Sequence, residues 1–341
     1  MLSDPNILLV YTGGTIGMVR DHETGALKAF NFNKLQQHIP ELKQLDCNIQ
    51  SVSFKEPIDS SNMDPEKWVM IASLIEERYD EFDGFVVLHG SDTMSYSASA
   101  LSFMFENLQK PVIFTGSQLP IGDLRTDAKE NLITAIQIAS MSHRGRPLVQ
   151  EVCLYFEYKL YRGNRTTKIS AEQFNAFTSP NYPALAESGV HLRVLNDLLL
   201  PYSPDSELRV HKQLDSHVMI VKMFHGINAK VLSAITAIPG LRGLVLETYG
   251  SGNAPSEEWF IAILRNAISN GLHVVNVTQC SGGSVNMGDY ETSTQLKEIG
   301  VISGADITTE AAITKMMHLL GCGTPETDFK AQFETPLRGE L

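Results

Sequence analysis

Short unbroken apolar runs alternate along this chain with longer stretches whose apolar residues recur at spacings of three and four. The first run, ILLVYTGGTIG from Ile7 to Gly17, reads as a buried strand that breaks into a tight glycine turn. GFVVL at Gly84 to Leu88, Pro111 to Phe114 and Val152 to Phe156 repeat the strand pattern, and a shorter strand is expected at Ser51 to Phe54, ending at Pro57. Helices are predicted between them. One starts at Asp64-Pro65-Glu66, where Asp caps, Pro fits the first helical position and an acid faces the helix N-terminus. Met94 to Leu108 carries Ala98, Leu101, Phe105 and Leu108 on one face, and Asp127 to Ser140 follows. Residues 18 to 40 are polar and glycine-interrupted, and their place beside the first turn favours a lid over a plain surface loop.

The periodicity fades between Leu192 and Glu207, where Pro201, Pro204, Asp197 and Asp205 gather. A linker over 196–217 therefore divides a domain at 1–195 from one at 218–341. In the second, strands at Val218 to Phe224, Leu244 to Leu246 and Val274 to Val277 alternate with helical windows at Ala229 to Ala237, Ser256 to Ser269 and Thr309 to Leu320. The expected fold class is α/β: a larger N-terminal parallel-sheet domain and a smaller C-terminal flavodoxin- or Rossmann-like domain.

Ligands in open α/β sheets bind past the carboxyl ends of the strands, so the residues at those ends are the candidates. They are Thr12 and Thr15, then His89-Gly90-Ser91-Asp92-Thr93, Thr115-Gly116-Ser117-Gln118, and the polar stretch Tyr161 to Lys168. Each has a plainer reading. Glycine turns make ordinary connections, Ser91 and Asp92 suit helix caps, Ser60 and Ser61 suit turns, and Lys168 suits a solvated surface. Neither GxGxxG nor GxxxxGK[ST] is present, which leaves little support for a nucleotide site.

Composition narrows the partners. A chain of 341 residues that is 43% hydrophobic and 19% charged is expected to be globular, with two cores. Its net charge of −12 disfavours nucleic acid, since such binders neutralise phosphates with Lys and Arg, and a small-molecule substrate fits better. No apolar run approaches the ~20 residues of a membrane span. The opening MLSDPNILLVYTGG lacks a basic leader region, so a cytoplasmic location is expected. Cys47, Cys153, Cys280 and Cys322 share no CxxC spacing, and reduced thiols without a metal are expected.

TGGTIG after the first strand, HGSDTM after a later one and RTTK downstream together resemble the bacterial-type L-asparaginase family, nearest its cytoplasmic type I branch. The similarity extends through DSS at 59 to 61, LYRGNRTTK at 160 to 168, YGSGNAP at 249 to 255 and VISGADIT at 301 to 308. The resemblance implies hydrolysis of L-asparagine to L-aspartate and ammonia, with no cofactor, by a homodimer or a dimer of dimers. Thr15 corresponds to the first catalytic threonine, and Ser91, Asp92 and Lys168 to the Thr-Asp-Lys set. Asp59, Ser60 and Ser61 correspond to the loop that holds the substrate's α-amino and α-carboxylate groups, with Ser117 a further substrate-binding candidate. Asn253 matches a position that approaches the active site of the neighbouring subunit.

Those roles suit the chemistry of an unactivated amide, which needs a nucleophile, a base and stabilisation of the developing oxyanion. Lysine acts as a base only if its pKa falls well below its usual ~10.4, and Asp92 opposes that fall. Three positions depart from the pattern. Ser91 replaces the usual threonine. The flap tyrosine's place reads Gly25-Ala26-Leu27, with Tyr290 the candidate substitute. Glu247 stands where certain allosteric relatives have arginine, which argues against allosteric activation. The competing readings are a glutaminase, including the glutaminase subunit of a tRNA-dependent amidotransferase, and a non-catalytic amino-acid-binding protein.

Overall fold

The computed structural model describes residues 4–20, 27–29, 39–201, 206–288 and 291–341. It divides into two compact units, Met1–Lys212 and Gln213–Leu341.

The first unit is built on an eight-stranded sheet. Its strands are β1 (Asn6–Gly13), β2 (Asn48–Ile58), β3 (Gly84–Leu88), β4 (Val112–Thr115), β5 (Val152–Phe156), β6 (Lys159–Arg162), β7 (Ala186–Ser188) and β8 (Leu192–Val194). Their order is β8-β7-β6-β5-β4-β3-β1-β2. The five strands from β2 to β5 are parallel, whereas β6, β7 and β8 add on in antiparallel fashion.

The central strands read as unbroken apolar runs because both faces are covered. Ile7, Leu9, Val86 and Leu88 share a core with Leu132, Ala135, Ile136 and Ala139 of a helix, while Leu8, Val10, Phe85 and Val87 are buried as well. That helix is α3 (Ala128–Ser140); α1 (Pro65–Glu77) and α2 (Met94–Met104) precede it. Asp64 caps α1 as expected, its carboxylate accepting from the Lys67 amide at 2.9 Å.

Some element limits differ from the sequence reading. β2 is eleven residues long and runs through Pro57. The strand tolerates the proline because it is the sheet edge, where a missing N–H breaks no ladder. α2 stops at Met104 instead of reaching Leu108, because Phe105–Glu106 pairs antiparallel with Arg209–Val210 and Asn107 turns with φ 61°. Of the expected lid, residues 21–26 and 30–38 lie outside the described residues, and Met18–Arg20 pairs with Leu27–Ala29.

The second unit holds four parallel strands in the order β9-β10-β11-β12: Val218–Lys222, Gly243–Thr248, His273–Thr278 and Ile302–Ser303. Its helices are α4 (Ala229–Thr236), α5 (Glu258–Ser269), α6 (Glu291–Glu298), α7 (Thr309–Gly321) and α8 (Glu326–Phe333). Its core gathers Leu244, Leu246 and Val274 with Phe260, Ile261 and Leu264 of α5. Among the described residues no helix is long and apolar enough to cross a membrane. No disulfide joins the four cysteines, all of them among the described residues.

Candidate active site

The parallel part of the first sheet places β2 on one side of β1 and β3, β4 and β5 on the other. The chain therefore reverses direction across the sheet between β1 and β3, and the crevice beyond the carboxyl ends of those two strands is where such folds bind ligands. Thr15 follows β1, and Ser91 and Asp92 follow β3.

Glycines draw these ends together. Gly14 has φ 86°, and a Cβ there would lie 2.5 Å from the Gly90 amide nitrogen, so only glycine lets the first turn pack on the third strand's exit. A Cβ on Gly90 would in turn lie 2.5 Å from the Ser60 hydroxyl oxygen. Three loops distant in sequence thus touch at backbone separation.

Thr15 opens the short 3-10 turn Thr15–Gly17, which sits on the buried Tyr11 ring, whose hydroxyl donates to the Gly17 carbonyl at 3.2 Å. Burial pushes the Tyr11 phenol up to about 12. The Thr15 side chain is half-buried and, among the described residues, its hydroxyl has no hydrogen-bond partner. Thr12 differs, for it is buried and donates its hydroxyl to the Leu88 carbonyl at 2.9 Å. The expectation that Thr12 shares the site is thereby corrected, because its side chain ties β1 to β3.

Lys168 lies on the short strand Thr167–Lys168, which pairs with Phe177–Thr178. Its ammonium donates to the Ser91 hydroxyl at 2.9 Å and to the Asp92 carboxylate at 2.7 Å. The lysine side chain is 16% exposed and that of Asp92 67%, so the ion pair adds at most ~1 kcal/mol of stability and serves mainly to orient the amine. The RGNRT segment before Lys168 is fastened to α2. Asn164 donates to Ser102 at 3.0 Å, and the Thr166 and Ser95 hydroxyls lie 3.1 Å apart.

Asp59 accepts from the Ser61 amide at 2.9 Å and caps the turn Ser60–Asn62. Ser60 is buried, its carbonyl accepting from the Thr93 hydroxyl at 2.8 Å, while Asp59 and Ser61 are exposed. Ser117 is buried and donates to the Leu119 carbonyl at 2.6 Å. Asn253 belongs to the second unit, where its backbone bridges to Tyr249. Tyr290 lies outside the described residues. Glu247 accepts from the Thr309 hydroxyl at 2.7 Å. Among the described residues no cluster of His, Cys, Asp and Glu is arranged to hold a metal ion.

Three further participants emerge, of which His89 and Gln118 were strand-end candidates without a role and Asp127 escaped the sequence reading. Gln118 accepts from the Ser91 hydroxyl at 3.2 Å. Asp127, read only as a helix start, accepts from the amides of Gln118 and Leu119 and fixes that loop. His89 is fully enclosed beneath the Ser91 turn. Its Nδ1–H donates to the Gly90 carbonyl at 2.7 Å, the Ser97 hydroxyl donates to its Nε2 at 2.9 Å, and Trp68 donates to Ser97. A carbonyl only accepts, so Nδ1 carries a proton, and burial lowers the pKa of the ring to about 4, which keeps it neutral at pH 7. Their places after strands marked His89 and Gln118; nothing local marked Asp127.

Comparison with known proteins agrees over both units. The asparaginase N-terminal family model matches residues 6–199, and the glutaminase/asparaginase C-terminal domain model matches 217–333. L-asparaginase 1 of Escherichia coli K12 is 43% identical over 98% of this chain and 98% of its own. A glutamyl-tRNA(Gln) amidotransferase component from Methanopyrus kandleri is 34% identical over 99% of this chain and 75% of its own. The crystal structure of L-asparaginase I from Vibrio cholerae superposes with a TM-score of 0.90 at 40% identity, covering 99% of each chain. With family models spanning both units and relatives aligned over nearly its full length, this chain belongs to the asparaginase family.

Proposed function

We propose that the protein hydrolyses the side-chain amide of L-asparagine to L-aspartate and ammonia. The observation that carries this reading is the cluster at the β1/β3 crevice: a threonine hydroxyl without a partner among the described residues, one residue beyond the Gly14–Gly90 contact, together with a lysine bonded to both Ser91 and Asp92. Thr15 Oγ bonds to the amide carbon, the carbon–nitrogen bond breaks, and the nitrogen leaves as ammonia carrying the hydroxyl's proton. Water then cleaves the resulting ester and returns a proton to Thr15. Ser91 and Lys168 carry protons in these steps, and Asp92 orients Lys168. Backbone N–H groups of the glycine turns face the developing oxyanion.

Asp59, Ser60 and Ser61 hold the substrate's α-amino and α-carboxylate groups, and Ser117 contributes through its loop. The family resemblance adds Asn253, from a neighbouring copy in a homodimer or a dimer of dimers, and assigns Tyr290 the role of the missing flap tyrosine. Catalysis requires no cofactor, and the protein works in the cytoplasm.

The match of the C-terminal unit to a glutaminase/asparaginase model keeps glutamine as the second substrate to test, because one methylene changes discrimination by only ~1–3 kcal/mol. Ammonia release from L-asparagine and L-glutamine by the purified chain separates the readings. Asparagine-selective release is expected, glutamine-selective release favours the second reading, and no release from either amide contradicts both.

A further inference from the structure

The hydrogen bonds around Ser91 have one self-consistent assignment. As an ammonium, Lys168 has only hydrogens to offer, so the Ser91 oxygen accepts from it at 2.9 Å. The Ser91 hydrogen is left for Gln118 Oε1 at 3.2 Å. The Gln118 amide is fixed independently. Its nitrogen donates to the Gln173 carbonyl at 3.0 Å, and a carbonyl only accepts, so the amide oxygen must face Ser91. Gln118 itself cannot drift, because its backbone amide donates to Asp127 at 2.9 Å and Asn131 of the same helix donates to the Gly116 carbonyl at 2.9 Å.

Serine has no γ-methyl group, and its χ1 is free to visit all three staggered wells, whereas threonine's branched Cβ restricts the choice. We propose that Gln118 is a positioning residue that holds the Ser91 hydroxyl in the rotamer facing Lys168, supplying by a hydrogen bond the restraint that a branched side chain supplies sterically. This rests on the proposed amidohydrolase reaction. The Gln118 amide also links the loop after β4 to the segment after Lys168.

The test is a double-mutant cycle on kcat for L-asparagine, using wild type, Gln118→Leu, Ser91→Thr and the double variant. Leucine approximates the size of glutamine and removes both amide bonds. Gln118→Leu is expected to lower kcat roughly tenfold in the serine enzyme but no more than about twofold in the Ser91→Thr enzyme, a coupling of the size seen for contacting residues. KM is expected to move little in either. A leucine that merely disturbs the fold lowers both backgrounds alike, so equal losses overturn the proposal, as does a loss confined to KM. Ser91→Ala serves as the control for the reaction itself. If wild type releases no ammonia, or Ser91→Ala keeps full activity, the proposed reaction fails; if both behave as expected but the cycle is additive, only the role of Gln118 fails.

Discussion

The two units use the same device, a parallel sheet whose strands end in glycine-rich turns, and they treat the polar side chains at those ends in opposite ways. In the second unit Thr248, Asn276, Thr278 and Gln279 are spent on the fold, whereas Asn253 is proposed to serve the site of a neighbouring copy. Thr248 donates to Asn276 at 2.7 Å, Asn276 donates to the Gly252 carbonyl at 3.0 Å, Thr278 donates to the Gly250 carbonyl at 2.6 Å, and Gln279 donates to the carbonyls of Met223 and Glu247. In the first unit Thr12 behaves the same way, but Thr15 keeps its hydroxyl uncommitted among the described residues, and Ser91, Asp92 and Lys168 bond chiefly to one another. A glycine-rich strand end is therefore weak evidence of chemistry. Polar groups that converge without serving the backbone are stronger evidence.

The largest test of that contrast lies within one turn. Thr15→Ala is expected to lower kcat by about 10³ or more with little change in unfolding free energy, as removal of a nucleophile does. Thr12→Val, three residues away, should reverse the pattern, leaving turnover largely intact. Steady-state ammonia release and urea unfolding on both variants report the two quantities. Lys168→Met comes next, with a loss of roughly 10²–10⁴ in kcat if the amine carries protons in the reaction. A loss below about tenfold would reduce Lys168 to a surface ion-pair partner.

What the sequence disclosed follows the same division. Thr15, Ser91, Asp92 and Lys168 were legible as candidates because each lies in a short motif at a strand end, but their roles came from the resemblance to the asparaginase family, since the local pattern suited turns, caps and surface as well. Thr12 was misjudged because its commitment to Leu88 crosses 76 residues of sequence. Asp127 was invisible as a site residue, and Gln118 was a strand-end candidate without a role, because both roles depend on the register in which α3 lies against the loop after β4. The parallel sheet was readable from its unbroken apolar runs. The antiparallel strands β6 to β8 were harder, since β7 and β8 are three residues each and half-exposed in part. No pattern of period two can establish itself over so short a stretch.

His89 gives a pH prediction of intermediate size. Its folded pKa of about 4 lies below the ordinary 6.5, so between those values the unfolded chain binds a proton that the folded one excludes. Stability should fall as pH drops from about 6.5 towards 4, by roughly 3 kcal/mol in all, and His89→Gln should flatten that slope. Urea midpoints at neutral and mildly acid pH, for wild type and variant, measure it. An unchanged slope would mean that other groups dominate.

The smallest expected effects are those of the committed hydroxyls. Thr12→Val and Thr248→Val each leave a buried acceptor without its donor and should lower unfolding free energy by about 1–2 kcal/mol. Either one lowering kcat as much as Thr15→Ala does would break the comparison between committed and uncommitted groups.

Mass spectrometry of the wild-type protein acid-quenched during turnover of L-asparagine, followed by peptide mapping, tests most directly whether Thr15 is the nucleophile. An aspartyl ester is expected on the peptide containing Thr15, absent from Thr15→Ala. An adduct mapped to Ser91, or full turnover by Thr15→Ala, would contradict that assignment.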